Sequence, residues 1–442
     1  MPRRPRPHAL ARAVVAAVAV LGLLVGCTPA APAPHGTGTS EIVHVPEDAP
    51  TISAAVDLVA PGGLVVVAPG TYPEQVLVST PDVTIRGLDR NTTLIDAEGI
   101  RPYGIVAVAD GVSIENLTVT RATFYGVLVT GMHDASGPGA HGDDGYTRLD
   151  TERFPPVQRF SIDHVTATNN GLYGIYAFDA QHGVIRDSYA SGSADSGFYV
   201  GQCRGCDILV TGNVAENNAV GFENANASDS VVVVGNRFSG NRVGMTFLSN
   251  YQEALSPQRG NTVVGNLVTG NTASDSPAQA EGAFGIGIGV GAGTENLFAR
   301  NLIAGNPSAG VVLSSTEDLA PVGNLFEGNV FADNGVDLAN VASDRAPAVG
   351  NCLIGDAPRT LPEGLLEGCT PDTRQPSATR DTLPRLEVPP GVSFLRVAPP
   401  PAQPQLGDLD APARRLPDAV AMPDIANVTL PTAELLADRA RA

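Results

Sequence analysis

The residues best suited to acid–base chemistry in this sequence lie in a polar insert at residues 131–158. His133 can act as a base, Arg148 can neutralise a substrate carboxylate, and Asp134 can assist them or bind a cation. Elimination at a uronate needs a base and a charge neutraliser, and often Ca²⁺. If the protein is an enzyme, we expect His133, Asp134 and Arg148 to be catalytic, with Ca²⁺ as the one candidate cofactor.

A second set of polar and aromatic residues recurs at regular spacing along the next part of the chain. Tyr176, Tyr199 and Glu223 each lie two residues after a repeated glycine, and Asp179 and Gln202 follow the two tyrosines by three residues. Tyr rings can cover apolar sugar faces, while carboxylates and amides bond sugar hydroxyls. Since Trp is absent, these five residues are the predicted substrate-binding residues.

Both sets must be positioned by a repeat of about 22–25 residues, which is marked by a glycine followed by an apolar residue. Two of the intervals between successive repeated glycines are longer, about 48 and 41 residues, and they contain Pro/Gly/Asp-rich inserts. The repeated glycines are Gly104, Gly126, Gly174, Gly197, Gly221, Gly244, Gly285, Gly310 and Gly335. A parallel asparagine pattern joins Asn213 to Asn218, Asn236 to Asn241, Asn266 to Asn271, Asn301 to Asn306 and Asn329 to Asn334, and His164 and Asn169 fit the same frame.

Each repeat contains short alternating runs bounded by Gly and Asn, which indicates strands and tight turns rather than helices. We predict an all-β fold, a right-handed parallel β-helix over residues 41–370. Residues 50–60 are expected to form a capping helix with Thr51 or Ser53 as N-cap. Residues 371–442 are Pro-rich and should be an extended strap or a disordered tail, with a short helix at 432–441. Stacked coils should place these residues inside: Ile175, Phe198, Phe222, Met245, Ile286 and Val311.

The N-terminus has the pattern of an export signal. Four arginines precede an apolar run that is too short to span a bilayer comfortably. Leu24-Val25-Gly26-Cys27 resembles the bacterial lipobox, which implies cleavage before Cys27 and lipidation of that residue. We expect a signal peptide at 1–26, a tether at 27–40, and a mature protein held by lipid on the outer face of the cell membrane.

Cysteine usage agrees with export. If Cys27 carries lipid, four cysteines remain, and an even number in an exported chain indicates disulfides. Proximity in sequence favours Cys203 with Cys206 and Cys352 with Cys369. The alternatives for the first pair are a redox motif, which would need a helix N-terminus, or half a metal site.

The formal net charge of −19 excludes one class of partner. Nonspecific binding to nucleic acid requires many Lys and Arg side chains, and this chain has no Lys. We therefore expect no nucleic acid partner.

Two stretches carry a resemblance to known families. Residues 45–87 resemble the opening of pectate-lyase-like and pectin-methylesterase-like β-helix proteins, and residues 171–206 resemble actinobacterial exported β-helix proteins. The resemblance implies a sugar-binding or sugar-hydrolase β-helix superfamily. The catalytic motifs of methylesterases, polygalacturonases, pectate lyases and alginate epimerases are not intact here, so the resemblance implies the fold and no particular mechanism.

The sequence leaves three functions open. The first is a cell-surface protein that binds a polysaccharide or cell-wall glycan, without catalysis. The second is a polysaccharide lyase or uronate epimerase. The third is an accessory protein like the periplasmic copper-maturation β-helix family, but four Met and seven scattered His are few ligands for a soft metal.

Overall fold

The computed structural model describes residues 38–139, 148–357, 359–366 and 369–441, and these residues form a right-handed parallel β-helix. All pairings between coils in its named strands are parallel, and a right-handed crossover is the rule for such connections. The short hairpin of His133–Asp134 with Gly137–Pro138 is antiparallel. The predicted fold class is confirmed.

Successive coils build two sheets. The larger, sheet A, contains Ser40–Val45, Val59–Val67, Gly70–Tyr72, Thr84–Gly87, Thr93–Asp96, Val112–Thr120, Val157–Thr168, Ala180–Arg186, Tyr189–Ser191, Ile208–Thr211, Val214–Glu216, Val231–Val234, Arg237–Ser239, Thr262–Val264, Leu267–Thr269, Leu297–Ala299, Leu302–Ala304, Leu325–Glu327, Val330–Ala332 and Cys352–Ile354. The smaller, sheet B, contains Val76–Val78, Tyr103–Ala107, Tyr125–Thr130, Ile175–Phe178, Ser196–Arg204, Val220–Ser228, Val243–Leu248, Ile286–Gly291, Ala309–Ser314, Leu338–Asn340 and Thr360–Leu361.

The predicted capping helix is present at Ile52–Leu58. Thr51 is its N-cap and accepts a hydrogen bond from the backbone N–H of Ala54 at 3.1 Å. The buried face of the helix packs on the first strands, so the helix covers the N-terminal end of the core. This covering matters because a solenoid otherwise exposes sheet edges at its ends.

The predicted core stack is correct except at one coil. Strand pairing aligns Ile175, Phe198, Phe222 and Met245, and then continues to Ile288 rather than Ile286. The stretch Gly285-Ile-Gly-Ile-Gly offers two registers with the same alternation, and the insert before it hides the spacing. The prediction of Ile286 as the inward residue of this coil was therefore wrong by two residues.

The repeated glycines form a column because the coils approach closely there. A Cβ atom at Gly221 would lie 2.6 Å from the carbonyl oxygen of Gly244 and 2.9 Å from Nδ2 of Asn241. Gly287 continues this column after Gly244. The predicted members Gly285 and Gly335 lie outside it, since Asp337 supplies the carbonyl oxygen facing Gly310.

Asparagine ladders run along the corners of the coils. Both predicted ladders exist, and in each rung an Asn donates through Nδ2 to Oδ1 of the Asn one coil further on. A third ladder, missed in the sequence, joins Asn296, Asn324 and Asn351 and ends on Gln375. His164 and Asn169 have φ values of 53° and 58°, so they are turn residues beside the ladder positions rather than members.

Both predicted disulfides are present. Cys203 bonds Cys206 with a Cα–Cα distance of 5.2 Å, and Cys352 bonds Cys369 with a Cα–Cα distance of 4.9 Å. The disulfide leaves no thiolate for the metal alternative, and the redox alternative lacks its helix N-terminus because Cys203 lies in the strand Ser196–Arg204. Disulfides persist in oxidising compartments, so they indicate an exported protein.

Residues 371–441, here called the strap, lie along the β-helix in extended conformation with four short 3-10 turns at Arg380–Thr382, Phe394–Arg396, Ile425–Asn427 and Ala437–Arg439. The predicted helix at 432–441 is limited to the last of these. Proline has no N–H to donate, so the Pro-rich strap cannot pair as a regular strand, and arginines of the β-helix bind its carbonyl oxygens instead. The contacts are Arg86 to Leu409 at 3.2 Å, Arg90 to Pro404 at 3.1 Å and Arg242 to Pro389 at 2.8 Å.

No helix within the described ranges combines the length and the apolar character needed to cross a bilayer.

Candidate functional site

The outer face of sheet B carries the predicted stripe. Strand pairing aligns Leu128, Tyr176, Tyr199, Glu223 and Thr246 on consecutive coils. Their chain neighbours Val127, Ile175, Phe198 and Phe222 fill the core. Because side chains alternate along a strand, the stripe points outward, as the sequence predicts.

The tyrosines of the stripe are nevertheless buried. Tyr176 is 0% exposed and Tyr199 is 1% exposed. Tyr173 packs on both of them, with ring centroids 4.6 Å and 4.7 Å away. The same cluster includes Met132, Leu149 and Phe154 from the 131–158 insert and Ala254 from a later loop. The described parts of the insert, residues 131–139 and 148–158, lie on the predicted face and pack against the rings, so the expected open sugar-stacking groove at Tyr176 and Tyr199 is wrong.

A pair of carboxyls lies beside this aromatic cluster. Ser196 Oγ donates to Glu223 Oε2 at 2.6 Å and lies 3.3 Å from Asp195 Oδ1. The two side chains, here called the carboxyl pair, are partly exposed. Burial raises the pKa of Asp195 to about 6. Burial and the negative charge of Asp195 raise the pKa of Glu223 well above its ordinary value.

The pair therefore keeps a proton to higher pH than ordinary carboxyls do, and with one group protonated and the other ionised it offers one hydrogen-bond donor and one acceptor. Glu253 is the next carboxylate along the face, and its negative charge contributes to the raised pKa of Glu223. Of these acids, only Glu223 was predicted from the sequence. Asp195 lies in the turn before the repeated Gly197, so its carboxyl could have been predicted from the repeat. Glu253 lies in a loop that contains no residue of the repeat pattern.

Asp179 and Gln202 lie at the corner where the strands of sheet B end. They occupy equivalent positions on neighbouring coils, followed by Asn226, and all three have positive φ. Gln202 Nε2 donates to Glu253 Oε2 at 2.6 Å. Asp179 is 3% exposed, and burial raises its pKa to about 7. These two predicted residues therefore face a buried corner.

The predicted catalytic residues of the insert lie separately. His133 Nδ1 is 3.3 Å from the carbonyl oxygen of Gly131, which adjoins Asp179. Asp134 pairs with Arg153 at 2.6 Å, and Arg148 is exposed. The other polar residues of the insert at positions 141–146 lie outside the described residues.

One group of side chains on sheet A has metal-ligand geometry. The ligand atoms of Asp163, His164 and Asp187 lie within 4.8 Å of one another. However, Asp163 already pairs with Arg186 at 2.6 Å and with Arg414 of the strap at 2.9 Å. Two guanidinium groups thus supply the positive charge that a cation would bring, and the arrangement serves to hold the strap.

A family model described as "Periplasmic copper-binding protein (NosD)" matches residues 74–282. Among curated proteins, no relative was found. Similar solved structures include the A-module of the mannuronan C-5 epimerase AlgE6 from Azotobacter vinelandii, with 17% identity, 68% of this chain and 80% of that chain covered, and a TM-score of 0.49.

Two further similar structures are known. The pectate lyase Pel9A has 17% identity, with 61% of this chain and 74% of that chain covered and a TM-score of 0.39. DFA-IIIase from Arthrobacter chlorophenolicus A6 has 14% identity, with 68% and 87% covered and a TM-score of 0.41.

Proposed function

We propose that this chain is an exported β-helix protein that binds a carbohydrate chain, a polysaccharide or cell-wall glycan, on the outer face of sheet B. The observation that carries the proposal is the carboxyl pair of Asp195 and Glu223. Its two groups share Ser196 and hold protons more tightly than ordinary carboxyls do, so together they can donate to one sugar hydroxyl and accept from another.

The surroundings of the carboxyl pair suit a linear chain better than a compact ligand. Along the stripe, Glu223 is followed by Thr246 and then by Gly289, whose lack of a side chain leaves room on the next coil. Three coils at about 4.8 Å spacing give a ledge of about 10 Å, the length of roughly two sugar units. Two surface depressions of about 540 and 220 Å³ are lined partly by residues of the strap and not by residues of this stripe.

Binding is tested with a glycan panel that includes uronate polymers and peptidoglycan fragments. We expect Glu223→Ala and Asp195→Ala each to weaken binding at least tenfold, because a lost donor or acceptor leaves its partner hydroxyl unpaired. Glu47→Ala, at an exposed acid near the N-terminal end, is the matched control. Equal affinity in all three variants would refute the carboxyl pair as the binding site.

The same incubation distinguishes binding from catalysis. Lyase activity would raise the ultraviolet absorbance through newly formed unsaturated uronates. His133→Ala, Asp134→Ala and Arg148→Ala then test the predicted catalytic residues, and Ca²⁺ is added and chelated in parallel. An epimerase forms no double bond, so the C5 stereochemistry of the recovered uronates is measured as well. Binding without a change in absorbance or in C5 stereochemistry favours the noncatalytic function.

We also propose that Cys27, which lies outside the described residues, anchors the protein by lipid to the outer face of the cell membrane. The lipobox-like sequence and the disulfides support this location. Cys27→Ala should move the protein out of the membrane fraction or leave its signal peptide uncleaved. Normal processing with full membrane retention would exclude the anchor.

A copper-associated function is the second candidate, favoured by the family match over residues 74–282. Against it, the four cysteines after Cys27 are held in disulfides, and soft metals prefer thiolate, thioether and imidazole ligands. Titration of the oxidised protein with Cu(I) and Cu(II) separates the candidates. Stoichiometric binding at submicromolar concentration would favour the copper function over carbohydrate binding.

A further inference from the structure

Two buried oxygen atoms at the corner of sheet B accept no hydrogen bond from the described residues. They are Oδ2 of Asp179 and Oε1 of Gln202. Their side chains are only 3% and 1% exposed. A buried polar group without a partner lowers stability by roughly 1–3 kcal/mol, and a buried charged group lowers it more. We therefore expect both oxygens to bind a partner.

The two side chains come from adjacent coils in the same register. Phe178 pairs with Gly201, so Asp179 and Gln202 directly follow paired residues. Their φ values of 54° and 56° turn both residues in the same way. Adjacent coils are about 4.8 Å apart, a spacing that one ion bound between two oxygens can bridge.

The insert adds a third oxygen to this corner. A Cβ atom at Gly131 would lie 2.0 Å from the carbonyl oxygen of Pro155 and 2.7 Å from Asp179 Oδ2. The backbone carbonyl oxygen and the carboxylate oxygen are therefore no farther apart than the sum of these two distances, a separation that one cation bound to both can bridge.

Charge and orientation favour a cation at this corner. Gln202 directs its Nε2 to Glu253, which leaves Oε1 as the atom available to a ligand, and Glu253 is itself 4% exposed. None of the ion pairs formed by the described residues includes Asp179. Carboxylate, amide and backbone carbonyl oxygens are the ligands that hard cations prefer.

We propose that Asp179 Oδ2, Gln202 Oε1 and the carbonyl oxygen of Pro155 bind one hard cation of the Ca²⁺ class, with Glu253 as the second negative charge of the site. The ion joins two coils to the 131–158 insert and so holds the insert over the aromatic cluster. This proposal is independent of carbohydrate binding.

Proton release gives one signature of the site. Burial raises the pKa of Asp179 to about 7, so below that pH the cation must displace a proton. We expect Ca²⁺ affinity to rise between pH 6 and pH 8 and the release of protons on binding to be largest at pH 6.

Terbium luminescence tests the site directly. Tb³⁺ replaces Ca²⁺ at oxygen ligands, and its emission is sensitised by nearby aromatic rings. The chain has no Trp, so sensitisation must come from Tyr. Tyr199 shares the strand Ser196–Arg204 with Gln202, and Tyr176 lies in the strand Ile175–Phe178, which Asp179 directly follows. We expect saturable emission from the full-length protein, competed by Ca²⁺, and at least tenfold weaker binding in Asp179→Asn.

Asp179→Asn keeps the side-chain shape, and Asn tolerates positive φ, so this variant should fold. Asp195→Asn is the matched control, because it removes a carboxylate on the same face that is not part of the site. Gly131→Ala should weaken binding as much as Asp179→Asn does, although it keeps every ligand, because its Cβ would displace the carbonyl oxygen of Pro155 and Oδ2 of Asp179.

Three results would overturn the proposal. The first is an absence of sensitised emission in the wild type. The second is emission that Ca²⁺ does not compete. The third is loss of emission in Asp195→Asn with retention in Asp179→Asn, which would place the ion at the carboxyl pair. Thermal unfolding with and without Ca²⁺ adds a separate readout, since only a protein with the site should be stabilised by the ion.

Discussion

At the scale of single residues, the carboxyl pair shows how a surface position acquires unusual proton affinity. Glu223 lies between Tyr199 and Thr246 on the stripe and is only partly exposed, so its carboxylate is less well solvated than a carboxylate in open water. The nearby Asp195 adds a like charge, and both effects favour the protonated form. Ser196 donates to Glu223 and partly opposes this shift.

This proton affinity predicts a pH dependence of stability. The folded protein holds the protons of Asp195 and Glu223 more tightly than the unfolded chain does. The free energy of unfolding should therefore fall as pH rises from about 4 through 6 and above. Glu223→Gln stays neutral, so it should match the wild type at pH 4 and be more stable at pH 8.

Urea denaturation at pH 4, 6 and 8 measures this difference. Glu47→Gln, which changes an exposed acid, should follow the wild type at each pH. If the stability of Glu223→Gln falls with pH as steeply as that of the wild type, Glu223 does not hold a proton in the folded state.

The sequence predicted which side chains of the site point outward, but not which of them are exposed. The spacing after each repeated glycine correctly placed Tyr176, Tyr199 and Glu223 on one outer stripe. It could not show that the tyrosines are covered, because covering depends on how the 131–158 insert folds back. Glu253 comes from a loop that follows no repeat, so no pattern links it to Gln202.

At the scale of elements, the asparagine ladders hold the turns of successive coils together. Within a ladder, each Asn satisfies backbone groups of its own coil and of its neighbours. Asn266, for example, donates to the carbonyl oxygen of Val233 at 2.9 Å and accepts from the N–H of Asn236 at 3.0 Å. Buried turns need such partners because water does not reach them.

Removing one rung should be costly. Asn266→Ala leaves several buried donors and acceptors unpaired, and we expect a loss of about 3 kcal/mol in the free energy of unfolding. Asn427→Ala, at an exposed position of the strap, should change stability by less than about 0.5 kcal/mol. Denaturant unfolding of both variants checks this, and similar small effects would mean that the ladder contributes little.

The sequence predicted the repeat correctly where the coils are uninterrupted and incorrectly after an insert. From Gly174 to Gly244 the glycine column follows the predicted frame. After the insert near 272–283, the frame slipped by two residues, because Gly-Ile-Gly-Ile-Gly fits the column at either register. The third ladder was missed although the sequence contains its pattern, since Asn296 and Asn324 have the same spacing of 28 residues as the predicted Asn301 and Asn329.

At the scale of the whole molecule, the strap contributes charges that the β-helix lacks. Arg414 donates to the buried carboxylates of Glu115 at 2.8 Å and Asp163 at 2.9 Å. Burial alone would raise the pKa of Asp163, but hydrogen bonds with His164 and Arg186 and the charges of Arg186 and Arg414 hold it at about 2. The stability from Asp163 is thus present above about pH 4 and is lost as pH falls toward 2.

Arg414→Ala should therefore destabilise the protein by about 1–3 kcal/mol at neutral pH, because it leaves two buried carboxylates with fewer donors. The adjacent and exposed Arg415 provides a matched control, and Arg415→Ala should have little effect. Limited proteolysis should also cleave the strap faster in Arg414→Ala. Equal proteolysis and equal stability of the two variants would show that Arg414 does not hold the strap.

The contact of the strap with the first coils also has a consequence for the order of folding during secretion. Arg86 bonds the carbonyl oxygen of Leu409, more than three hundred residues later in the chain. A chain that crosses a membrane from its N-terminus can stack coils as they emerge, but it can close this contact only when its last part has arrived. A prematurely terminated chain would leave Glu115 and Asp163 without Arg414. Only a chain that includes the strap can therefore form these ion pairs.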